Sequence, residues 1–173
     1  MTLVLQKIVS GGQTGVDRAA LDVAAGTARR NGAGRKLHWG GWCPPLGRAE
    51  DGTISCSYNL VETPQACSLL TPNVPRSQRT EWNVRDSDAT LIMYLSIPND
   101  PGTQATHSFC EHYCRPVHEV LLDENATNSA VQSVHNWLSS YNVETLNIAG
   151  PSESTQPGVY DATYNFLQYF LLE

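Results

Sequence analysis

Apolar positions along this chain come in two alternating patterns, short continuous runs and stretches spaced three or four residues apart. Leu3-Val4-Leu5 and Lys7-Ile8-Val9 read as a short strand halted by Ser10-Gly11-Gly12. Ala19, Ala20, Leu21, Val23, Ala24 and Ala25 follow as a helix closing near Asn31-Gly32, a strand, glycine turn and helix in succession. Ser77 is placed to cap a shorter helix through Arg79, Trp82, Asn83 and Arg85. Ala89 to Leu95 (ATLIMYL) is an uninterrupted apolar run, as expected of a strand covered on both faces. A helix is predicted from the Pro101-Gly102-Thr103 turn to about Cys114, then a strand from Pro116 to Leu122. Ala130, Val131, Val134, Trp137 and Leu138 mark another helix by their spacing. The strand Glu144–Ala149 and an aromatic helix after Pro157-Gly158, carrying Tyr160, Tyr164, Phe166, Leu167, Phe170 and Leu171, complete the chain. Only Asn31 to Asn73 sustains no period, apart from a possible strand at Leu37-His38-Trp39. A long irregular stretch inside a compact domain is usually functional or mobile.

Strand and helix thus alternate about five times, with no hairpin turn chemistry between strands. The expected fold is α/β: a Rossmann-like parallel sheet of about five strands with helices on both faces. The 173 residues suit a single domain spanning 1–173, since domains usually run about 100–200 residues.

Composition narrows the function classes. Hydrophobic residues are 40% and charged residues 16% of the chain, which sets aside a disordered protein. No apolar stretch approaches the roughly 18–20 residues of a membrane span. Met1 to Ser10 is too short before Gly11 for a secretion signal, so a cytoplasmic protein is expected. Asn125-Ala126-Thr127 then matches a glycosylation acceptor only by chance. The five cysteines, an odd number, read as reduced thiols. A net charge of −6 argues against nucleic acid as a partner. All eleven Lys and Arg lie at or before Arg115, while Pro116 to Glu173 carries seven acids and no Lys or Arg. Basic ligands for any bound anion must therefore come from the first two thirds.

In open parallel sheets, ligands bind beyond the carboxyl ends of the strands, and three loops there have suitable composition. Ser10-Gly11-Gly12-Gln13-Thr14-Gly15-Val16-Asp17-Arg18 offers backbone N–H groups and a helix N-terminus to an anion. Thr14 is placed as its N-cap, with Asp17 as capping-box partner. Equally, this can be a tight, well-capped turn. Pro101-Gly102-Thr103-Gln104-Ala105-Thr106 repeats the pattern with two hydroxyls, and alone reads better as a capped turn. Gly150-Pro151-Ser152-Glu153-Ser154 supplies hydroxyls and an acid but no cation. Arg18 and Arg79 are the candidate cations, their planar guanidinium suiting phosphate or a pterin edge; each can equally be a solvated helix residue.

His107, Cys110, His112, Cys114 and His118 suggest a metal cluster at first sight. Arg115-Pro116 breaks the helix before His118, however, and Cys-x3-Cys on a helix lacks zinc-knuckle geometry. No metal ligands are assigned. No Ser-His-Asp triad, nucleophile elbow or HExxH is present, so no catalytic residues are assigned either.

Seven segments resemble the molybdenum carrier family (molybdenum cofactor carrier proteins) of the SLOG superfamily of Rossmann-like domains. They are IVSGGQTGVDRAALDVA from Ile8, GGWCP from Gly40, GRAEDG from Gly47, RTEWNVRDSDATLI from Arg79, PGTQAT from Pro101, LNIAGPSES from Leu146 and PGVYDAT from Pro157. The resemblance implies a non-enzymatic homo-oligomer that holds molybdenum cofactor, a small phosphorylated pterin, for storage or delivery to molybdoenzymes. On that basis the ligand-binding residues are expected among Gly11, Gly12, Gln13, Thr14, Gly15, Asp17, Arg18, Trp42, Arg48, Glu50, Arg79, Thr80, Asn83, Gly102, Thr103, Thr106, Gly150, Ser152 and Ser154. Gly41-Trp42-Cys43 and Arg48-Glu50-Asp51 would form the rim; Glu50-Asp51-Gly52 can also be a plain acidic turn.

Three departures qualify the implied ligand. Ser152 stands where the family commonly has Arg, Pro101-Gly102-Thr103 replaces Gly-Gly-Thr, and Ala66 to Pro75 looks like an insertion. Two alternatives remain: a sensor of a nucleotide-derived ligand that signals to a protein partner, and a phosphoribohydrolase-like enzyme acting on nucleoside monophosphates. The second is disfavoured by Ala105, which stands where those related enzymes carry a catalytic Glu.

Overall fold

A computed structural model of the chain describes residues 4–30, 37–123 and 127–172. Leu3, the Asn31-Gly32 helix end and the Asn125-Ala126 part of the glycosylation pattern lie outside them. In chain order the elements are β1 (Lys7–Val9), α1 (Val16–Arg30), β2 (His38–Cys43), β3 (Arg48–Ala49), β4 (Gly52–Thr53), β5 (Leu60–Glu62), α2 (Ser77–Arg85), β6 (Ala89–Tyr94), α3 (Pro101–His112), β7 (Val117–Leu121), α4 (Thr127–Ser140), β8 (Thr145–Ala149) and α5 (Val159–Leu172).

Six strands form one parallel sheet in the order β5-β2-β1-β8-β6-β7. Successive strand residues point to opposite faces, and the two faces differ in chemistry. Ile8, Ala89, Leu91, Met93, Leu146 and Ile148 join Val16, Ala20 and Val23 of α1, Val134 and Leu138 of α4, and Leu167 and Phe170 of α5 in the main core. The intervening Thr90 and Asn147 turn the other way, where the Asn147 amide donates to the buried Thr90 hydroxyl at 3.2 Å. There a smaller cluster of Val84, Ala105, Phe109 and Cys110 packs α2 against α3. The architecture is a Rossmann-like α/β sandwich, with helices on both faces. Ile148 is fully buried at the sheet centre, and truncating such a residue to Ala costs about 2–5 kcal/mol.

The strand order explains where a crevice forms. From β1 the chain moves outward through β2 to β5, then crosses to β6 and moves outward again to β7. It returns last to β8, between β1 and β6. The loops after β1, β6 and β8 therefore leave the same end of the sheet at the point where the order reverses, the usual place for a ligand crevice.

Several local expectations are corrected. The irregular region contains a sixth strand, the edge strand β5, and a β3–β4 antiparallel hairpin with Glu50 and Asp51 at its tip. Ser77 does not cap α2. The cap position is Arg76, in the left-handed region at φ 59°, without a capping side chain. The Ser77 hydroxyl instead accepts from Ser68 N at 2.9 Å and donates to Thr71 O at 3.2 Å, tying down the 66–75 segment. Nor does Thr14 form a capping box with Asp17: its hydroxyl donates to Glu50 and accepts from Glu153 N at 3.2 Å. Among the described residues no helix is long and apolar enough to cross a membrane.

Candidate functional site

The crevice is built by three loops that bind one another through side chains distant in sequence. The Ser10 hydroxyl at the end of β1 donates to Ile148 O of β8 at 2.6 Å. Gly15, at φ 76°, lies so close to the loop after β8 that a Cβ there would sit 2.6 Å from Pro151 O, and only glycine meets both demands. Gln156 acts as a short substitute strand. Its Oε1 accepts from Leu95 N at 2.8 Å and Ser96 N at 3.2 Å, and its Nε2 donates to Ser96 O at 2.7 Å. Glu153, in the same loop, accepts from Gly158 N at 2.6 Å and Tyr160 N at 2.9 Å and so caps α5.

Charges in and beside the crevice are mostly paired. Arg79 of α2 donates from one Nη to Asp17 Oδ2 at 2.6 Å, with side chains 16% and 7% exposed, while its Nε is buried without a partner. Its side chain lies against Gly11, where a Cβ would come within 1.9 Å of its Nη1. Arg18 grips both carboxylate oxygens of Asp51 at 3.0 and 3.1 Å and also donates to Gly12 O. That guanidinium holds the Asp51 carboxyl below its ordinary pKa. Glu50 accepts from the Thr14 hydroxyl and from the backbone and hydroxyl of Ser154. Burial alone would raise its pKa, but the hydrogen bonds from Ser154 and Thr14 outweigh it and hold the group low. The β3–β4 hairpin thus works as a clasp across the first and third loops.

The N-terminus of α3 is also satisfied internally. Asp100 is its cap, accepting from Thr103 N and from the Thr103 hydroxyl, each at 2.8 Å. Thr106 donates to Gly102 O at 3.0 Å. A carboxylate therefore already stands where the helix dipole would favour a bound anion.

A cavity of about 290 Å³ opens among these loops. Gly11, Gln13, Asp17, Glu50, Arg79, Thr80, Asn83, Gly102, Thr106, Gly150, Ser152 and Ser154 of the expected set line it. Gly12, Thr14, Gly15, Arg18, Trp42, Arg48 and Thr103 do not. Gly12, Gly15 and Arg18 shape the first loop from behind, and Thr103 faces its own cap. Arg48 is exposed on β3. The Trp42 indole donates to Asp86 Oδ2 at 2.8 Å and meets Trp82 edge-on, with ring centroids 4.7 Å apart, so it is occupied elsewhere. Its backbone is held by Asn83, which pairs with both Trp42 N (2.8 Å) and Trp42 O (2.9 Å).

The wall also contains Pro75, Arg76, Asp100, Asn147, Ile148, Ala149 and Thr155, none of them in the expected ligand-binding set. Two had a readable signal: Asp before Pro-Gly is a strong helix cap, and Asn147 interrupts an otherwise apolar strand. Arg76 carried none. Ala105 is 4% exposed within the α2–α3 cluster and does not line the cavity. On α3, His107 lies 3.4 Å from Glu119 of β7, whereas His118 stacks on Trp137 at 5.2 Å. Among the described residues no group of three or more His, Cys, Asp and Glu is arranged to hold a metal ion.

The circularly permutated YpsA SLOG family matches residues 8–171 of the chain. Among solved structures, the chain is similar to the "Putative molybdenum carrier protein" of Syntrophus aciditrophicus SB, with 37% identity and a TM-score of 0.84. That match covers 99% of this chain and 98% of the other. No curated protein matches.

Proposed function

Since this chain belongs to the circularly permutated YpsA SLOG family, we propose that it is a non-enzymatic carrier whose central cleft holds molybdenum cofactor. Its cargo would be a small phosphorylated pterin, taken up in the cytoplasm and passed on to molybdoenzymes by a homo-oligomer. The observation that carries this reading is the mixed polarity of the cleft at the strand-order reversal. Two arginines, three carboxylates (Asp17, Glu50, Asp100) and several hydroxyls and amides share one wall.

The donor set fits such a ligand. A pterin presents N–H donors beside ring acceptors along one edge, which Asp100 and Asn147 match; its phosphate requires a cation, and the wall carries Arg76 and Arg79. A volume of about 290 Å³ lies at the lower limit for small-molecule sites, which begin near 300 Å³. One end of the cofactor would therefore enter the cavity and the rest would lie along the rim at Glu50 and Ser154. A carrier needs these groups to hold its cargo without supplying a base or nucleophile to it. Asp17, Glu50 and Asp100 are all engaged in hydrogen bonds of the scaffold, which suits holding.

The test is retention. Purified protein mixed with molybdenum cofactor and passed through gel filtration should carry both molybdenum and oxidisable pterin fluorescence in the protein fractions. Cofactor eluting entirely apart from folded protein would overturn the reading. Release of free base from adenosine monophosphate would point instead to the phosphoribohydrolase-like chemistry found elsewhere in the superfamily.

A further inference from the structure

Of the cations near the cleft, two are already spent. Arg79 is committed to Asp17 at 2.6 Å, and Arg18 is held by Asp51 and Gly12 O outside the cavity wall. Arg76 differs: it lines the cavity, is half-buried, and its side chain makes no hydrogen bond or ion pair among the described residues. Its backbone lies at φ 59°, ψ 23°, a region that non-glycine residues occupy uncommonly and chiefly where the surroundings hold them. Thr80, in the first turns of α2, is brought to the same wall by the helix that Arg76 precedes. Thr80 lines the same cavity, and its hydroxyl is likewise uncommitted among the described residues.

We propose that Arg76, with the Thr80 hydroxyl, is the anchor for a tetrahedral oxyanion in the cleft, a phosphate monoester or molybdate. The glycine turns are not the anchor. Several donors of these turns are taken by the protein's own carboxylates: Gln13 N by Asp17, Thr14 and Ser154 by Glu50, and Thr103 N at the start of α3 by Asp100. Arg76 is the cation free to exchange water for ligand oxygens, and a guanidinium can take two of them at once. The assignment rests on the cleft being the binding site. It is independent of whether the rest of the ligand is a pterin.

Calorimetric titration of inorganic phosphate, molybdate, adenosine monophosphate and molybdenum cofactor into wild type, Arg76→Asn and Arg76→Lys tests it. Asn tolerates the left-handed backbone and can cap a helix, so Arg76→Asn keeps the fold, checked by its melting curve. The expected result is that wild type binds at least one of these oxyanions and that Arg76→Asn loses about tenfold or more in affinity, as when a charged hydrogen-bond partner is removed. Arg76→Lys should recover part of it. Equal affinity in wild type and Arg76→Asn overturns the proposal while leaving the carrier reading intact. Binding of phosphate, molybdate or nucleotide through Arg76 without binding of the cofactor supports the anchor and overturns the carrier reading. No binding of any probe to folded wild type overturns both.

Discussion

The Arg79–Asp17 pair decides more about this site than any other two side chains. Both are largely buried, so removing one leaves the other charge without compensation at a typical cost of about 3–5 kcal/mol. Arg79→Met should therefore lower the urea midpoint strongly, whereas Asp17→Asn combined with Arg79→Met should recover most of the loss. A double variant as unstable as the single would show that Arg79 acts by packing on Gly11 and not by pairing. Glu50 makes a smaller, pH-dependent contribution because it is largely exposed. Its folded pKa lies below its ordinary value, held there by Ser154 and Thr14 against the effect of burial. Its stabilisation is therefore present above the unfolded value of about 4.3 and is lost as pH falls through the folded one. Between about pH 5 and pH 3, wild type should lose stability more steeply than Glu50→Gln. Parallel stability curves would remove Glu50 from the clasp.

Among the elements, α3 carries the clearest conflict between local pattern and assembled structure. Pro-Gly-Thr at a strand end reads as an anion turn, yet Asp100 caps the helix and brings a negative charge to the cleft. Replacing Asp100 by Ser keeps a side-chain cap of similar strength and removes that charge. Stability should then change little, whereas Asp100→Ala should cost about 0.5–2 kcal/mol. Oxyanion affinity should rise severalfold in Asp100→Ser, by titration with phosphate or molybdate; unchanged affinity would mean that the carboxylate is too far from the ligand to repel it. The same conflict marks what could be read from the sequence. The strand β6 and the helices α4 and α5 were legible because each repeats one pattern over many residues. The strand β5 was not: only three residues long and at the sheet edge, it leaves Val61 and Glu62 exposed and so shows no apolar run. The glycine turns were legible as turns. The carboxylates that engage the first of them come from Glu50 and Asp51, more than thirty residues away, and no local spacing announces such partners.

At the scale of the whole molecule, the last strand occupies the centre. The strand β8 hydrogen-bonds to both β1 and β6, and α5 is tied to α1 by the Tyr160 hydroxyl, which donates to Asp22 at 2.8 Å. Tyr58 donates to the other oxygen of Asp22, also at 2.8 Å; burial and then this bond push its phenol up to about 12. Without β8, the strands β1 and β6 would each present a bare edge and the main core would lose Leu146 and Ile148. The sheet between β2 and β7 should therefore unfold as a unit, in one thermal transition. The cleft brings residues 11–17 and 147–155 together with Glu50, the 75–83 segment and the start of α3, so a ligand there binds the folded state and not the unfolded one. At a free concentration one hundred times its dissociation constant, such a ligand adds about 2.7 kcal/mol. Scanning calorimetry should accordingly show a single peak whose calorimetric and van't Hoff enthalpies agree, moved upward as a whole by the bound oxyanion or cofactor. Two peaks, of which the ligand moves one, would mean that β8 is not the keystone of both the sheet and the site.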